Sequence, residues 1–343
     1  MLGQHRFAAV AAFLFLFAGG EVVLSTQAST PASTQALAFD IEAHRGGRAL
    51  FPENTLPSFA GALTMGVDTL ELDIGVTQDG AIVVSHERGL NPDLARGPDG
   101  AYVAPPGIPF VRLPLAEIRK SDVGRIRPGS AYAAQFPDQR AVPGTPIPTL
   151  KEVLALVRKS GDGHVRLNIE TKIDPGHPEE SPDPQRFVDL LLDLLATEKF
   201  SDRVTVQSFD WRTLLLVQKL APAIPTVYLT LQKGSAPTLF LDKPSAWTAG
   251  FDPVDHGGSV PRAIKAAGGA IWSPYFGDVD TALVSEAHGL GLKVVVWTVN
   301  KPDDIARMID LGVDGIISDR PDLLRQLAGE KGIALPPGFP VTP

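Results

Sequence analysis

The sequence has no cysteine among its 343 residues. The protein therefore has no disulfide framework and no lipobox cysteine that could carry a lipid anchor. A small secreted scaffold usually needs disulfides, whereas a chain of this length can bury a sufficient apolar core without them. With 44% apolar and 20% charged residues, the composition is that of a globular protein with one barrel or two smaller domains.

Basic residues are also scarce, because 31 Lys and Arg are outnumbered by 39 Asp and Glu, and the formal net charge is −8. A nucleic-acid-binding protein would carry a basic stripe, so we expect no nucleic-acid partner. An acidic balance of this size mostly favours solubility. It is also compatible with a cluster of carboxylates around a cation.

The N-terminal segment contains an apolar run that is too short to span a bilayer. The run FAAVAAFLFLFAGG follows His5 and Arg6, and a hydrocarbon core of ~30 Å needs about 20 residues. This order is typical of a signal peptide. We predict that residues 1–38 are signal peptide and linker, cleaved at Ala-X-Ala (36–38) or at 26–28, and that the protein is periplasmic or secreted. The alternative is an uncleaved interfacial anchor; no stable membrane insertion is expected.

Nine short apolar runs follow residue 38, and helix-like segments separate most of them. The predicted strands are IEAH (41–44), TLELDIGV (69–76), AIVVSH (81–86), VRLNIET (165–171), RVTVQSF (203–209), TVYLT (226–230), AIWS (270–273), KVVVWTV (293–299) and GIISD (315–319). Thr55 and Thr149 are predicted N-caps, and Gly66 is a predicted helix stop. Alternation over roughly 280 residues predicts an α/β fold of the (β/α)8 TIM-barrel type. The barrel domain is expected at 39–330, with a C-terminal tail at 331–343.

One junction breaks the alternation, because the second and third runs are too close in sequence for a crossover helix. Asp79-Gly80 between apolar runs predicts a β-hairpin with a two-residue turn, inserted after strand 2. Residues whose numbers sum to 159 would then face each other, which places Asp73 opposite His86. Eight other runs remain for the barrel. A long rim insertion is expected at about 87–147, where Pro, Gly and Arg are frequent and no periodicity is visible.

Strand alternation brings three carboxylates to the inside of the predicted barrel. Glu71 and Asp73 share one face of their strand, and Glu170 points inward from the next one. Three buried carboxylates need a counter-charge, and hard oxygen donors of this kind suit Ca²⁺ or Mg²⁺. The alternative at this point is an ion-pair network with Arg45 or Lys172. Active sites of such barrels lie at the C-terminal ends of the strands, where these side chains fall.

Two histidines approach the same cluster from different strands. His44 ends the first strand, His86 ends the hairpin, and Arg45 follows His44 directly. A general base, a general acid and cations around an anionic centre are what phosphoryl transfer requires. Arginine suits this role because its guanidinium can hold a phosphate through two hydrogen bonds.

At these residues the sequence resembles the glycerophosphodiester phosphodiesterase family. The matching segments are HRG (44–46), PENT (52–55), GVDTLELDIGVTQDGAIVVSHE (66–87), IPTLKEVL (147–154), LNIETK (167–172), VQSFD (206–210), VVWTVN (295–300) and GVDGIISDRPDLL (312–324). They occur in the family's order and cover nearly all of residues 40–325. The resemblance implies a phosphatidylinositol-phospholipase-like TIM barrel that hydrolyses a small glycerophosphodiester to an alcohol and glycerol 3-phosphate.

The resemblance also implies roles for single residues. His44 and His86 would be the acid/base pair, with His44 as base on water or on the substrate's own glycerol hydroxyl and His86 protonating the departing alcohol. Arg45 and Lys172 would face the phosphate, and a divalent cation, Ca²⁺ or Mg²⁺, would bind Glu71, Asp73 and Glu170. Glu53 would contact the glycerol or brace Arg45, or only fix the turn before Thr55. Trp297 would form an aromatic pocket wall or simply pack in the barrel.

Two departures and two alternatives remain. Glu87 replaces the family's usual Asp after His86, and strand parity predicts that its side chain turns away from His86. Glu42 shares a face with His44 and has no predicted role. The alternatives are a phospholipase acting on intact lipid, with residues 101–115 as an apolar rim, and a non-catalytic binding barrel. The sequence indicates neither the alcohol head group nor an oligomeric state.

Overall fold

Eight parallel strands alternate with helices and close into a barrel, with a ninth strand attached to its outside. The computed structural model describes residues 39–234 and 236–343, so the predicted signal peptide lies outside the described residues. The strands are β1 Asp40–Ala43, β2 Thr69–Val76, β3 Ile82–Val84, β4 Arg166–Thr171, β5 Val204–Ser208, β6 Thr226–Thr230, β7 Ile271–Pro274, β8 Lys293–Val296 and β9 Gly315–Ser318. Strand β1 pairs in parallel with both β2 and β9, which closes the barrel. The predicted TIM barrel is confirmed.

The described part of the chain contains ten α-helices, and two of them begin at the predicted N-caps. They are α1 Leu56–Met65, α2 Leu115–Ile118, α3 Ala131–Gln135, α4 Leu150–Ser160, α5 Pro184–Thr197, α6 Trp211–Leu220, α7 Val260–Ala266, α8 Thr281–Gly289, α9 Pro302–Leu311 and α10 Pro321–Glu330. Thr55 and Thr149 cap α1 and α4 through capping boxes. Gly66, with φ +86°, ends α1. Within the described part of the chain, every helix is too short or too polar to cross a membrane.

Strand β2 shows how the barrel separates its two faces. Leu70, Leu72 and Ile74 are fully buried within the main apolar core. Glu71 and Asp73 alternate with them and therefore point to the barrel interior. Their side chains are each only 1% exposed, so the interior of this strand carries charge that must be balanced locally.

The hairpin forms, but its predicted register is wrong by one residue. Ile74 pairs with Val84, and the Ser85 N–H donates to the Asp73 carbonyl at 2.9 Å, so Asp73 lies opposite Ser85 and not His86. The turn has three residues between Thr77 and Ala81, whose backbones are hydrogen-bonded at 2.9 Å. Its last residue, Gly80, has φ +80°, which is the conformation that a three-residue hairpin turn requires.

The rim insertion between β3 and α4 has a small apolar core of its own. The side chains of this core are Val83, Leu90, Ala95, Phe110, Ile118, Val123 and Ile147. Phe110 is 1% exposed, whereas Ile108 in the same loop is 43% exposed. Of residues 101–115, Phe110 is thus buried in this core, and Val103, Leu113 and Leu115 pack against it. The insertion lies beside the C-terminal ends of the barrel strands, where it can reach the candidate site.

Candidate active site

Three carboxylates from two strands meet inside the mouth of the barrel. Glu71 and Asp73 come from β2 and Glu170 from β4, and one oxygen of each lies within 4.8 Å of the others. The residues are 1%, 1% and 7% exposed. Because β2 and β4 pair in parallel with Asp73 beside Glu170, the register of the sheet itself brings these acids together. The expected convergence is thus present in the fold.

The turn after β1 directs Arg45 into this acidic cluster. His44–Gly46 form a single 3-10 turn in which Arg45 has φ +52°, an uncommon conformation for a residue with a side chain. Its N–H donates to Glu71 Oε2 at 2.9 Å, its Nη1 to Glu53 Oε1 at 2.7 Å, and its Nε lies 3.3 Å from Asp73 Oδ2. Strained backbone of this kind is found where the surrounding structure holds a functional side chain in place.

His44 is oriented by an acid that sequence reasoning missed. Its Nδ1 lies 2.6 Å from Oδ1 of Asp319, which directly follows β9. A carboxylate only accepts hydrogen bonds, so Nδ1 carries the proton and Nε2, 3.9 Å from Glu71 Oε2, keeps a free lone pair. Asp319 also accepts from Arg48 Nε and Asn300 Nδ2, both at 2.7 Å. Its position at the end of a barrel strand was the available signal.

His86 reaches the same cavity although the hairpin register differs from the prediction. Strand β3 ends at Val84, so the chain has left the ladder before His86 and strand parity no longer fixes its direction. Both histidines line one cavity. The expectation that Glu87 turns away is wrong for the same reason, because its Oε1 lies 2.9 Å from Nδ1 of His86.

The carboxyl groups of the cluster outnumber the cations that pair with them. Lys172 Nζ donates to Glu170 Oε1 at 2.7 Å and lies 3.7 Å from Asp73 Oδ1. Arg45 pairs with Glu53 and Asp73. The ion-pair network considered above is therefore present, but in this set four carboxylates, Glu71 included, are matched by only two cations. The formal excess of two negative charges is what one divalent cation would balance.

Burial and these neighbours shift the pKa values of the acids in opposite directions. Burial, together with the charges of Asp73 and Glu170, raises the pKa of Glu71 well above its usual range. Burial raises the pKa of Glu170 to about 7, against the opposing effect of Lys172. Burial also acts to raise the pKa of Asp73, but Arg45, His86 and Lys172 together outweigh it and the pKa is strongly lowered. Asp73 is therefore firmly ionised, whereas the free protein favours the protonated form of Glu71 and lets Glu170 titrate near neutral pH. A bound cation would favour the ionised form of both.

Both histidines are neutral near pH 7 in the free protein. Burial lowers the pKa of His44, and the charge of Asp319 opposes this effect. Burial, followed by the charges of Arg45 and Lys172, lowers the pKa of His86 to about 4. Glu87, hydrogen-bonded to His86, has its pKa lowered to about 2 and is ionised.

The cavity between these groups has one polar and one apolar side. It encloses about 130 Å³. Its lining residues are His44, Arg45, Arg48, Glu71, His86, Glu170, Gln207, Phe209, Leu229, Trp297, Thr298 and Ile317. Trp297 donates from Nε1 to the Ser273 carbonyl at 2.9 Å. Its ring packs edge-on against that of Phe209, with 5.4 Å between the ring centroids. Glu53 is absent from this lining and lies behind Arg45.

Side chains outside the predicted set hold the acids in position. Asn54 Nδ2 donates to Asp73 Oδ2 at 2.8 Å, and Gln207 Nε2 donates to Glu71 Oε1 at 2.7 Å. Asn168 Nδ2 connects Gln207 to Glu42, each at 3.0 Å. Burial raises the pKa of Glu42 well above its usual range, so this carboxyl is protonated beneath the site. Strand alternation places Asn168 on the same face of β4 as Glu170, but alternation cannot reveal this chain of hydrogen bonds.

The donor set fits a hard divalent cation. All three converging side chains offer carboxylate oxygens, the ligands that Ca²⁺ and Mg²⁺ prefer. Asp73 Oδ1 is buried and has no hydrogen-bond partner among the residues that the structure describes. An orphaned buried oxygen in a native fold requires an explanation, and a bound ion is one of the few available.

Comparisons with known proteins agree with this geometry. The model of the glycerophosphoryl diester phosphodiesterase family matches residues 44–323. A glycerophosphodiester phosphodiesterase of Caldanaerobacter subterraneus subsp. tengcongensis is 31% identical, with 84% of this chain and 98% of that protein covered. The "Putative glycerophosphoryl diester phosphodiesterase" of Silicibacter pomeroyi DSS-3 has a similar structure, with 35% identity, a TM-score of 0.77, and 87% and 96% of the two chains covered. An Oleispira antarctica phosphodiesterase, solved with sn-glycerol-3-phosphate, shares the fold at 23% identity and a TM-score of 0.61, covering 85% and 97% of the chains.

Proposed function

The chain belongs to the glycerophosphoryl diester phosphodiesterase family, and we propose that it hydrolyses small glycerophosphodiesters to an alcohol and sn-glycerol 3-phosphate by two-histidine acid/base catalysis with a divalent metal. It is an enzyme of this family, which removes the non-catalytic binding barrel from consideration. The observation that carries the proposal is the meeting of three buried carboxylates and two histidines around one cavity at the barrel mouth.

Glu71, Asp73 and Glu170 are proposed to hold the metal. The charge excess of the cluster and the orphaned Asp73 oxygen support this assignment. When bound, Ca²⁺ or Mg²⁺ supplies positive charge that stabilises the phosphoryl oxygens during bond exchange. Arg45 and Lys172 would neutralise the remaining phosphate charge, and the bonds of Arg45 to Glu53 and Glu71 hold its guanidinium and backbone ready for this purpose.

His44 is proposed as the general base. Its proton on Nδ1 is held by Asp319, so Nε2 can take the proton of the attacking hydroxyl, whether this belongs to water or to the substrate's glycerol. As the new bond to phosphorus forms, the bond to the alcohol breaks. Attack by water gives glycerol 3-phosphate directly, whereas attack by the glycerol hydroxyl gives a cyclic phosphate, whose ring a water molecule must then open at phosphorus. His86 then donates a proton to the departing alkoxide.

His86 can act as an acid only if substrate binding raises its pKa. Arg45 and Lys172 help to keep the imidazole neutral in the free protein. A phosphodiester anion that pairs with these two cations removes part of their effect and adds a negative charge beside the ring. Glu87, already ionised and bonded to Nδ1, would stabilise the imidazolium that results.

A water-soluble substrate is favoured over intact lipid. Phe110 and the partly buried side chains of Val103, Leu113 and Leu115 pack in the core of the rim insertion. Its exposed large apolar residues among those that the structure describes are Ile108 and Val142, which do not form a continuous apolar rim along 101–115. We further propose that the protein is exported, on the strength of the N-terminal apolar run. N-terminal sequencing of the mature protein would test this, and an intact Met1 on exported protein would contradict signal cleavage.

The central test is turnover of a panel of glycerophosphodiesters, with EDTA treatment and re-addition of Ca²⁺ or Mg²⁺. His44→Ala and His86→Ala should each lower kcat by roughly two to four orders of magnitude, the range of general acid–base catalysis. His164→Ala is the control, because His164 is exposed and precedes β4 on the opposite side of the barrel. Near-normal turnover of His44→Ala, or full activity in EDTA, would overturn the mechanism. Hydrolysis of vesicle lipid but not of glycerophosphocholine would favour a phospholipase.

A further inference from the structure

The rim insertion places one side chain in direct contact with the charged residues of the site. Tyr132 lies on α3, a short exposed helix that caps itself through Ser130. Its hydroxyl donates to Oε2 of Glu53 and accepts from Arg48 Nη1, the latter at 3.3 Å. Glu53 uses its other oxygen to bind Arg45. The phenol oxygen of Tyr132 therefore contacts both Glu53, which is paired with Arg45, and a second arginine, Arg48.

Three contacts fix the direction of the Arg48 guanidinium, the first of which is the bond from Nη1 to Tyr132. Its Nε donates to Asp319 at 2.7 Å, and its guanidinium stacks over the ring of Phe136 at 4.8 Å. Its Nη2 forms no hydrogen bond with any residue in the part of the chain that the structure describes. Arg48 lines the same cavity as Arg45 and His44. A guanidinium held in this way loses little side-chain freedom when it binds an anion.

The segment around α3 is joined to the loop that carries Arg48. Gln139 Nε2 donates to the Arg48 carbonyl at 2.7 Å, and the Arg140 N–H donates to the Leu50 carbonyl at 3.0 Å. Phe136 packs edge-on against Tyr132 at 5.2 Å. The segment thus contacts the loop at Arg48 and Leu50, one face of the Arg48 guanidinium through Phe136, and its Nη1 through Tyr132. The helix α3 itself buries no residue.

We propose that Arg48 is a second phosphate-binding arginine and that Tyr132, supplied by the rim insertion, is a positioning residue that aligns Arg48 and Arg45 toward one anionic group. Two guanidinium groups on one side of the cavity can bind different non-bridging oxygens of a phosphodiester. The Tyr132 hydroxyl stays protonated near neutral pH, since burial and the charge of Glu53 raise its pKa well above the usual range. It therefore remains a hydrogen-bond donor to Glu53. This inference rests on the proposed function, because it assigns the group that binds the substrate phosphate.

The test compares the metal-loaded enzyme with Arg48→Gln, Arg48→Lys and Tyr132→Phe. The measurements are kcat and KM for glycerophosphocholine and the competitive inhibition constant of inorganic phosphate. Loss of a hydrogen bond to a charged group corresponds to a change of about tenfold or more. Arg48→Gln should therefore raise KM and the phosphate inhibition constant about tenfold or more, and Arg48→Lys should recover part of this. Tyr132→Phe should raise both constants by about threefold or more with an unchanged melting temperature.

Two substitutions in the same insertion serve as controls. Tyr102→Phe removes a phenol hydroxyl that donates to the Arg125 carbonyl, and Arg127→Gln removes an ion pair with Asp93. Neither residue lines the catalytic cavity. Both controls should leave KM and phosphate inhibition within about twofold of the parent enzyme.

The outcomes separate this inference from the proposed function. A phosphate inhibition constant within twofold of the parent in both Arg48 variants would show that Arg48 does not bind phosphate. Unchanged constants in Tyr132→Phe would remove its positioning role, and if Arg48→Gln does not fold, Arg48→Lys and Tyr132→Phe still decide. Absence of glycerophosphodiester turnover in the parent enzyme would instead refute the proposed function. Phosphate binding measured by calorimetry would then still test the arginine pair.

Discussion

Replacing Asp319 by Asn should disable His44 without removing it. Asp319 accepts hydrogen bonds from His44 Nδ1, Arg48 Nε and Asn300 Nδ2. An amide at this position has one oxygen instead of two, and its NH2 group faces donors. At least one of the three partners must then lose its acceptor or rotate. If that partner is His44, the proton moves to Nε2 and the lone pair needed for base catalysis is no longer directed into the cavity.

The expected magnitude follows from these contacts. Loss of one hydrogen bond to a charged group costs about 1.5 to 3 kcal/mol, which is roughly a tenfold to hundredfold effect on kcat. A change of tautomer adds to this, and the corresponding substitution in the serine protease triad lowers kcat by about 10⁴. We therefore expect kcat of Asp319→Asn to fall by roughly two to four orders of magnitude. The acidic limb of the pH–rate profile should also move to lower pH, because the charge of Asp319 raises the pKa of His44.

A second histidine–aspartate pair provides the control. His288 Nε2 lies 2.8 Å from Oδ2 of Asp314, which directly precedes β9, whereas Asp319 directly follows it. Asp314→Asn changes the same chemistry at the opposite end of the same strand and should leave kcat within about twofold. Melting temperatures of both variants would separate unfolding from loss of catalysis. The interpretation is refuted if Asp319→Asn is folded and retains more than about a tenth of the parent kcat.

Three further predictions use other contacts. Glu87→Gln, which removes the charge beside His86 Nδ1, should lower kcat by about tenfold while KM changes little; an unchanged kcat would mean that this carboxylate does not support the imidazolium. In metal-free protein, burial raises the pKa of Glu170 to about 7, against roughly 4.3 in the unfolded chain. Its contribution to the free energy of unfolding is therefore complete below the unfolded pKa and is lost as the pH rises through 7. Because a cation needs the ionised carboxylate, the increase in melting temperature on adding Ca²⁺ should be larger at pH 8 than at pH 5, and equal increases would argue against binding at this cluster. Gly46→Ala should reduce the free energy of unfolding by about 2 kcal/mol or more, since φ is +79° and the new Cβ would collide with Ser58. Gly129→Ala, with φ +77° and open space around it, should cost only the smaller conformational penalty, and equal losses would rule out the collision as the cause.

Much of the fold could be predicted because local patterns determine it. Each of the nine predicted strands is present, and Thr55 and Thr149 cap helices as expected. The convergence of Glu71, Asp73 and Glu170 could also be predicted. Side-chain alternation assigns each acid to the inner face, and parallel pairing in a barrel brings the ends of neighbouring strands to the same side.

The two wrong predictions, the hairpin register and the direction of Glu87, concern residues in the hairpin turn or just after the end of strand β3. Whether the hairpin turn has two or three residues depends on the conformation of Gly80, and one residue changes the whole register. The direction of Glu87 could not follow from strand parity, because the strand stops three residues earlier. The same limit explains why His86 reaches the site by a route that the register did not predict.

Local periodicity was sufficient to predict the TIM barrel and an acidic interior edged by His44, Arg45 and His86. The leader indicated by the N-terminal apolar run stays a prediction. The partners of these residues required the folded chain. Asp319 is 275 positions from His44, and Tyr132 reaches Glu53 from an insertion without any periodic pattern. Contacts of this kind depend on how the barrel closes and how irregular loops pack over it, and neither is recorded in the spacing of residues along the chain.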